Sequence, residues 1–448
     1  MKVLLISANT LTAPYPVYPL GLDYVAAALA PNHRVKIADM NLIDMGALAR
    51  QVDEFNPGAV GISLRNIDNT DTTDPRGFIP EYENLVQIVR KHTDAPIVLG
   101  GAGFSIFPEK ILSALAADYG VVGEGERLAA LLEAIENRQP MEALPGIVTP
   151  DHPYRPADPL TKIPSRNLNS GYGHMGYYLE HGGMLNLQTK RGCPLRCIYC
   201  TYPHIEGRRF RLIAPDEVAR SAKTAQEAGA KYIFITDSAF NADIGHSLAV
   251  ADQFRKTGVS IPWGAFLAPM KMPEHYFDAL KNAGMRHVEF GTESLSDRVL
   301  EAYGKPFNRR QIHRTHDLAV AAGLHVAHYF LLGGPGETTD TLETTLSHID
   351  KLKKSVLFLF CGMRIYPNTA LFDLSVRQGR LGPSSDLLEP VFYQSADIRR
   401  EEIIDRVTAK ADKRINWVIG SGGDETSALV KRMYAKGYSG PLWEYLIR

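Results

Sequence analysis

The sequence predicts an α/β protein: a doubly wound parallel sheet, then a partial barrel of six strand-helix repeats, then a helical C-terminal cap. Short, continuous apolar runs alternate with amphipathic segments over the first 150 residues, the pattern of strands buried on both faces between helices. Prolines then crowd the stretch from Pro140 to Pro164, which reads as a linker. Six further apolar runs follow, and the helical patterns between them stop at Gly229, Gly258, Gly284, Gly304 and Gly323, where a helix terminus favours glycine. The expected division is 1–150 for the first domain, 151–180 for the linker, 181–375 for the barrel and 376–448 for the cap.

In the first domain the expected strands are 3–7, 35–38, 59–64, 97–100 and 120–122, with helices near 21–30, 44–55, 80–92, 108–117 and 126–137. Ligands of doubly wound sheets lie at the carboxyl ends of strands. The residues there are polar or glycine-rich: Ser7 and Asn9; Leu64, Arg65 and Asn66; Gly100, Gly101, Gly103, Phe104 and Ser105; Gly123, Glu124, Gly125 and Glu126. Such loops suit close backbone approach by a large ligand. None matches the dinucleotide fingerprint. The barrel strands are expected at 185–190, 232–236, 263–267, 287–290, 326–332 and 356–360, with cap helices at 400–418 and 425–436.

At 448 residues, with 45% hydrophobic and 22% charged residues, the chain is long enough for about three ordinary globular domains. A net charge of -1 gives no overall pull toward nucleic acid or anionic membrane. Residues 2–8 read as a first strand rather than a signal peptide, and no apolar run approaches the roughly 20 residues that span a bilayer. A cytoplasmic protein without membrane or nucleic-acid partners is expected.

Three of the four cysteines, Cys193, Cys197 and Cys200, are spaced C-x3-C-x2-C directly after the first barrel strand. That spacing suits an iron-sulfur cube with one iron left open. With His204 following Cys200, a closed Cys3His zinc site uses the same residues. Catalytic loops of such barrels sit at strand carboxyl ends, so Asp237, Glu293, Gly333, Gly334 and Cys361 are candidates to share one cavity with the cysteines.

With Cys193, Cys197, Tyr199 and Cys200, the chain carries Thr236-Asp237-Ser238 with Asn241, Gly291-Thr292-Glu293-Ser294, Leu331 to Thr338 and Gly362 to Thr369 in order. This set resembles the radical S-adenosylmethionine (SAM) superfamily and, more narrowly, its cobalamin-dependent branch, the class B methyltransferases. Tyr18 to Leu22, which includes Gly21, and Val121 to Glu126 resemble that branch's cobalamin-binding half. The resemblance implies a Rossmann-like cobalamin domain before a TIM-type barrel that binds a [4Fe-4S] cluster on Cys193, Cys197 and Cys200. It also implies SAM contacts from Tyr199, Asp237 (ammonium), Ser238, Glu293 (ribose hydroxyls), Ser294 (carboxylate), Gly333 and Gly334 (adenine).

The family's D-x-H-x-x-G turn is Asp39-Met40-Asn41 here, without histidine. Cobalamin is therefore expected without a protein imidazole on cobalt, with Arg65 or Asn66 nearest its lower face. Cys361 is a candidate substrate contact or hydrogen-atom donor. The implied reaction is methylation of a carbon of a small metabolite or natural-product intermediate through a 5'-deoxyadenosyl radical and methylcobalamin, with flavodoxin or ferredoxin as electron donor. The alternatives are an enzyme with both cofactors but no net methylation (cyclisation, ring rearrangement or sulfur chemistry) and a non-catalytic corrinoid-binding protein.

Overall fold

The computed structural model describes all residues except 13, 142, 143, 165, 167, 169–172, 421, 422 and 448, and the side chains of 423–425 and 427 are left aside. Parts of the expected linker and of the Gly420 turn therefore lie outside the described residues. The chain divides into two compact units. One comprises Met1–Asn69, Arg76–Glu180 and Thr201–Gly207; the other comprises Thr70–Pro75, His181–Cys200 and Arg208–Arg448.

The first unit is built on β1 (Lys2–Ser7), β2 (Arg34–Asp39), β3 (Ala59–Ser63), β4 (Ile97–Gly100), β5 (Tyr119–Val121) and β6 (Ile147–Val148). Their order is β2-β1-β3-β4-β5-β6, parallel except for β6, which the sequence reading did not foresee. Val3, Leu4, Leu5 and Ile6 are fully buried because β1 lies between two strands and under helices on both faces, so the run cannot alternate. Strand order reverses at β1 and β3. A ligand crevice is expected at their carboxyl ends, beside Ser7 and Leu64.

The second unit carries β7 (Met184–Leu187), β10 (Tyr232–Ile235), β11 (Trp263–Leu267), β12 (Met285–Glu293), β13 (His325–Leu332), β14 (Ser355–Cys361) and β17 (Trp417–Ile419). They form one seven-stranded sheet in the order β17-β14-β13-β12-β11-β10-β7, all pairs parallel. Two small antiparallel ladders join β8 (Lys190–Arg191) to β9 (Arg211–Leu212), and β15 (Met363–Arg364) to β16 (Phe392–Tyr393). All six expected barrel strands are present, but 185–190 ends early: Lys190 leaves the sheet to pair with Leu212. The helix expected over 400–418 stops at Ala411, and Trp417–Ile419 becomes a seventh strand. Gly229, Gly258, Gly284, Gly304 and Gly323 all adopt positive φ, as helix-terminating glycines should.

One face of this sheet is covered by helices. Phe330, Leu332, Leu357 and Leu359 pack there with Leu342, Leu346, Ile403 and Val407. The other face is the barrel interior, where Ala327 and Val356 meet Trp443 from the C-terminal segment. Glu444 beside it takes Arg286 Nε at 2.9 Å, and stands 3.0 Å from His287 Nε2 and 2.6 Å from His325 Nδ1. The tail is thus pinned into the barrel's amino-terminal end.

Behind β12 and β13, Thr292 Oγ1, His328 and His316 form a buried chain with contacts of 2.6 and 3.0 Å. Burial pulls His328 well below the usual histidine range and His316 down to about 4. Both are therefore neutral in the fold, and the unfolded chain takes up their protons first as pH falls. Their contribution is complete above about pH 6.5 and is lost progressively toward pH 4. The loss is about 1.4 kcal/mol for each pH step over which one of these histidines is charged in the unfolded chain and neutral in the fold. Urea denaturation at pH 7.5 and pH 5 should show this loss, reduced in a His316→Gln variant. An unchanged pH dependence in that variant would remove His316 as the cause.

Candidate functional site

The cysteine loop leaves β7 through Thr189 to Gly192, and the fold holds it on several sides. Asp237 accepts from Thr189 N at 2.8 Å, Thr189 Oγ1 at 2.5 Å and Lys190 Nζ at 2.8 Å, all in a fully buried cluster. Farther along, Ile198 N donates to Tyr303 O at 3.1 Å, Leu371 N to Ile198 O at 2.9 Å and Cys200 N to Cys197 O at 3.2 Å. A Cβ on Gly304 would stand 2.4 Å from Arg196 O, so only glycine lets the Tyr303-Gly304-Lys305 turn lie against this loop.

That turn delivers a residue the sequence reading missed. Lys305 Nζ donates to Tyr199 OH at 2.8 Å and to Glu293 Oε1 at 2.9 Å, while Tyr199 OH donates to the same Oε1 at 2.7 Å. The ammonium also hydrogen-bonds the Cys197 sulfur. Burial alone would lower the Lys305 pKa, but Glu293 and Cys197 outweigh it and raise it. Burial pushes the Cys197 thiol above its usual range, and Lys305 opposes that. Glu293 holds a left-handed φ of 63°, an unusual conformation for a carboxylate residue and one expected where a site over-determines the backbone.

Four of the expected SAM contacts have partners within the chain. Asp237 accepts from Thr189 and Lys190 and so positions the loop. Ser294 is fully buried and bonds Thr345 Oγ1 at 3.1 Å and Ser296 N at 3.1 Å, on the helix side of the sheet. Gly334 N is taken by Tyr303 OH at 3.0 Å, and a Cβ there would stand 2.4 Å from that oxygen; the close approach is made by the chain's own tyrosine. Gly333 O accepts from Ser395 N at 2.7 Å, and its open side is filled by Gln394. Ser238 remains beside the loop, its Oγ 3.5 Å from Gly192 O.

Cys361 is likewise engaged within the chain. It shares the helix-side face with Leu357 and Leu359, and its Sγ points at Gln394 Oε1, 3.8 Å away. Burial pushes the thiol up to about 11. The interior-facing neighbour is Phe360.

Among the described residues, the group of three or more His, Cys, Asp or Glu ligand atoms within 4.8 Å of one another is His287, His325 and Glu444. The three motif sulfurs are therefore not all within 4.8 Å of one another, whereas a tetrahedral zinc-thiolate site needs every pair at roughly 3.8 Å. A cube that binds one thiolate per corner spreads its ligands more widely, so the donor set fits a cluster with an open iron. The His287, His325 and Glu444 group also holds the Arg286 guanidinium on the same carboxylate oxygen, which makes it a tail anchor.

In the first unit, Arg65 is exposed at the end of β3, yet Tyr15, Tyr82, Tyr178 and Tyr202 face it, and burial lowers its pKa. Asn66 Oδ1 and Asn41 Oδ1 are buried without a hydrogen-bond partner among the described residues. Asn41, at the turn that would carry an axial histidine, donates instead to Tyr178 OH at 3.1 Å, and Tyr178 OH donates to Asp39 at 2.6 Å. Unspent polar atoms at the ends of β2 and β3 fit a large polar ligand. Gly21 has open space on its side-chain face, Ser7 is hydrogen-bonded to Asp39, and Asn9 donates to Leu11 O.

Several expected cobalamin contacts also serve the fold. Leu64 and Phe104 are fully buried, the Phe104 ring lying where a Gly120 side chain would be. Gly101 and Gly103 let the following helix sit on Leu64 O, and Gly125 packs on Val25. Gly100 pairs with Ser63 inside the sheet, and Ser105 Oγ ties Gly101 O to Gly123 N. Glu124 accepts from Leu160 N at 2.5 Å; Glu126 is buried in the next turn.

Residues 187–349 match the radical SAM superfamily and residues 6–133 match the B12 binding domain. The fold and the cysteine site thus define a cobalamin-dependent radical SAM enzyme. The chain is 27% identical over 401 residues to an uncharacterised methyltransferase of Pyrococcus horikoshii, covering 85% of this chain and 84% of that one. It is 24% identical over 432 residues to a tryptophan 2-C-methyltransferase of Streptomyces laurentii, covering 80% and 72%. In structure it resembles the radical SAM methyltransferase TsrM from Kitasatospora setae, solved with tryptophan and a SAM analogue. The TM-score is 0.89 at 22% identity, covering 99% and 97% of the two chains. The chain thus joins a B12 binding domain to a radical SAM domain. Among the described residues no helix is long and apolar enough to cross a membrane.

Proposed function

We propose that this chain transfers a methyl group to a carbon of a small metabolite or natural-product intermediate. The observation that carries this reading is the cysteine loop tied to Glu293 through Tyr199 and Lys305 at the carboxyl end of a barrel sheet. When bound, the cluster supplies the electron that cleaves SAM, and cobalamin carries the methyl group.

Cys193, Cys197 and Cys200 hold the cluster. The Glu293 contacts with Tyr199 and Lys305 are made through Oε1, so we assign Oε2 to the ribose hydroxyls, with Tyr199 and Ser238 lining the same pocket. Ser7, Asn9, Gly21, Arg65 and Asn66 would flank the corrin, and Asn41 stands in the turn where the family's pattern has histidine. In this reading residues 1–150 form the cobalamin domain and 181–375 the barrel, the protein is cytoplasmic, and a flavodoxin- or ferredoxin-type protein delivers electrons.

Anaerobic purification followed by iron, sulfide, cobalt and zinc analysis, then incubation with SAM under strong reductant, tests the reading. About four irons per chain, stoichiometric cobalamin and methylation of cobalamin by SAM are expected. Stoichiometric zinc, or cobalamin that SAM does not methylate, would sink it.

A further inference from the structure

We propose that the barrel interior carries a binding wall for a flat aromatic ring on the methyl acceptor, an assignment that rests on the methyltransferase reading above. Strand register puts Phe234, Phe266, Tyr329, Phe358 and Phe360 on the interior face. Phe266 meets Phe234 edge-on at 4.9 Å and Tyr329 at 6.1 Å, while Tyr329 lies parallel to Phe358 at 4.8 Å and to Phe360 at 6.4 Å. Phe266, Tyr329, Phe358 and Phe360 form one continuous aromatic surface, backed at its edge by the buried Phe234.

The surface faces open space. Phe266 sits in a strand paired on both sides, and its neighbours Ala265 and Leu267 are buried against helices, yet Phe266 is 38% exposed. Its exposure can open only to the interior. A Cβ on Gly291, on the same face, would meet just Glu293 Oε1, 3.4 Å away, among the described residues. Lower down the interior is filled: a Cβ on Gly264 would collide with Tyr232 and His287.

The floor is rigid. Trp443 Nε1 and Tyr329 OH donate to the two oxygens of Glu289, at 2.9 and 2.8 Å. That fixes the Tyr329 ring and closes the lower end, so a ligand enters from the end that carries Glu293. An exposed aromatic surface at an enclosed site is costly to leave in water. Aromatic rings offer a ligand ring edge-to-face and offset-stacked contacts that a saturated ring cannot make. The favoured occupant is therefore aromatic rather than merely apolar. The same chemistry is present in the adenine of SAM, and the test must separate the two.

The holoprotein is titrated with indole, with its saturated counterpart octahydroindole and with SAM, by calorimetry, in wild type, Phe266→Leu and Phe358→Leu. Leucine keeps apolar bulk, and retained cobalamin and iron content show that the variants fold. Indole affinity should fall roughly fivefold to tenfold in both variants. Octahydroindole should bind weakly throughout, and SAM affinity should stay unchanged. Unchanged indole affinity in the variants, absent indole binding by wild type, or a parallel loss of SAM affinity would each overturn the assignment. Because binding is read without turnover, a failure of cobalamin methylation leaves this result separately interpretable.

Discussion

Cys197→Ala should strip most of the iron and abolish 5'-deoxyadenosine formation, while cobalamin stays bound at wild-type stoichiometry. Cys197 is the motif thiol in contact with Lys305, and with alanine the cube has only two protein thiolates. The loop should keep its path, because its backbone is held by Tyr303, by Leu371 and, through Thr189, by Asp237, and none of these contacts uses the sulfur. The cobalamin-type domain is a separate compact unit with its own core of Val3, Leu5, Leu22 and Leu132, so its ligand should survive the change. Iron analysis, visible absorbance and product chromatography read the three quantities. SAM cleavage at the wild-type rate would remove Cys197 from the site. Joint loss of iron and cobalamin would point to misfolding.

The fold was legible because its signals are local. Continuous apolar runs, and glycines at helix ends, mark strands and termini without reference to distant sequence. The seventh strand was missed because Trp417–Ile419 is three residues long and follows a strongly helical segment; its partner β14 lies far away in sequence. The cysteine motif stood out by its spacing, which by itself suited a cluster or zinc. Lys305 did not, since a lone lysine after a helix end looks like solvated surface. The only hint was Gly304, whose need for glycine comes from contact with Arg196 O rather than from the helix end alone. Asp237, Ser294 and Cys361 were read as ligand contacts from their strand-end positions, and the partners they have within the chain were not legible. Position at a strand end does not say which face a side chain takes, and a single residue of register separates Cys361 from the interior.

Lys305→Met should destabilise the chain by about 3–5 kcal/mol, the scale for removing one partner of a buried ion pair. Methionine matches the length and apolar stem of lysine, so packing against the Tyr199 and Phe307 rings should persist and the loss should report charge. The stranded partner is Glu293, which is nearly buried and would keep only the Tyr199 hydroxyl among its hydrogen-bond donors described above. The double variant Lys305→Met with Glu293→Gln removes both charges and should recover much of the stability, because the cost lies in the unpaired carboxylate. Additive losses would mean that Lys305 acts through packing. Iron retention separates a second role. If the ammonium also stabilises the Cys197 thiolate, the double variant should refold to near wild-type stability and still hold its cluster more weakly than Glu293→Gln alone. Equal iron content in those two proteins would confine Lys305 to its pair with Glu293.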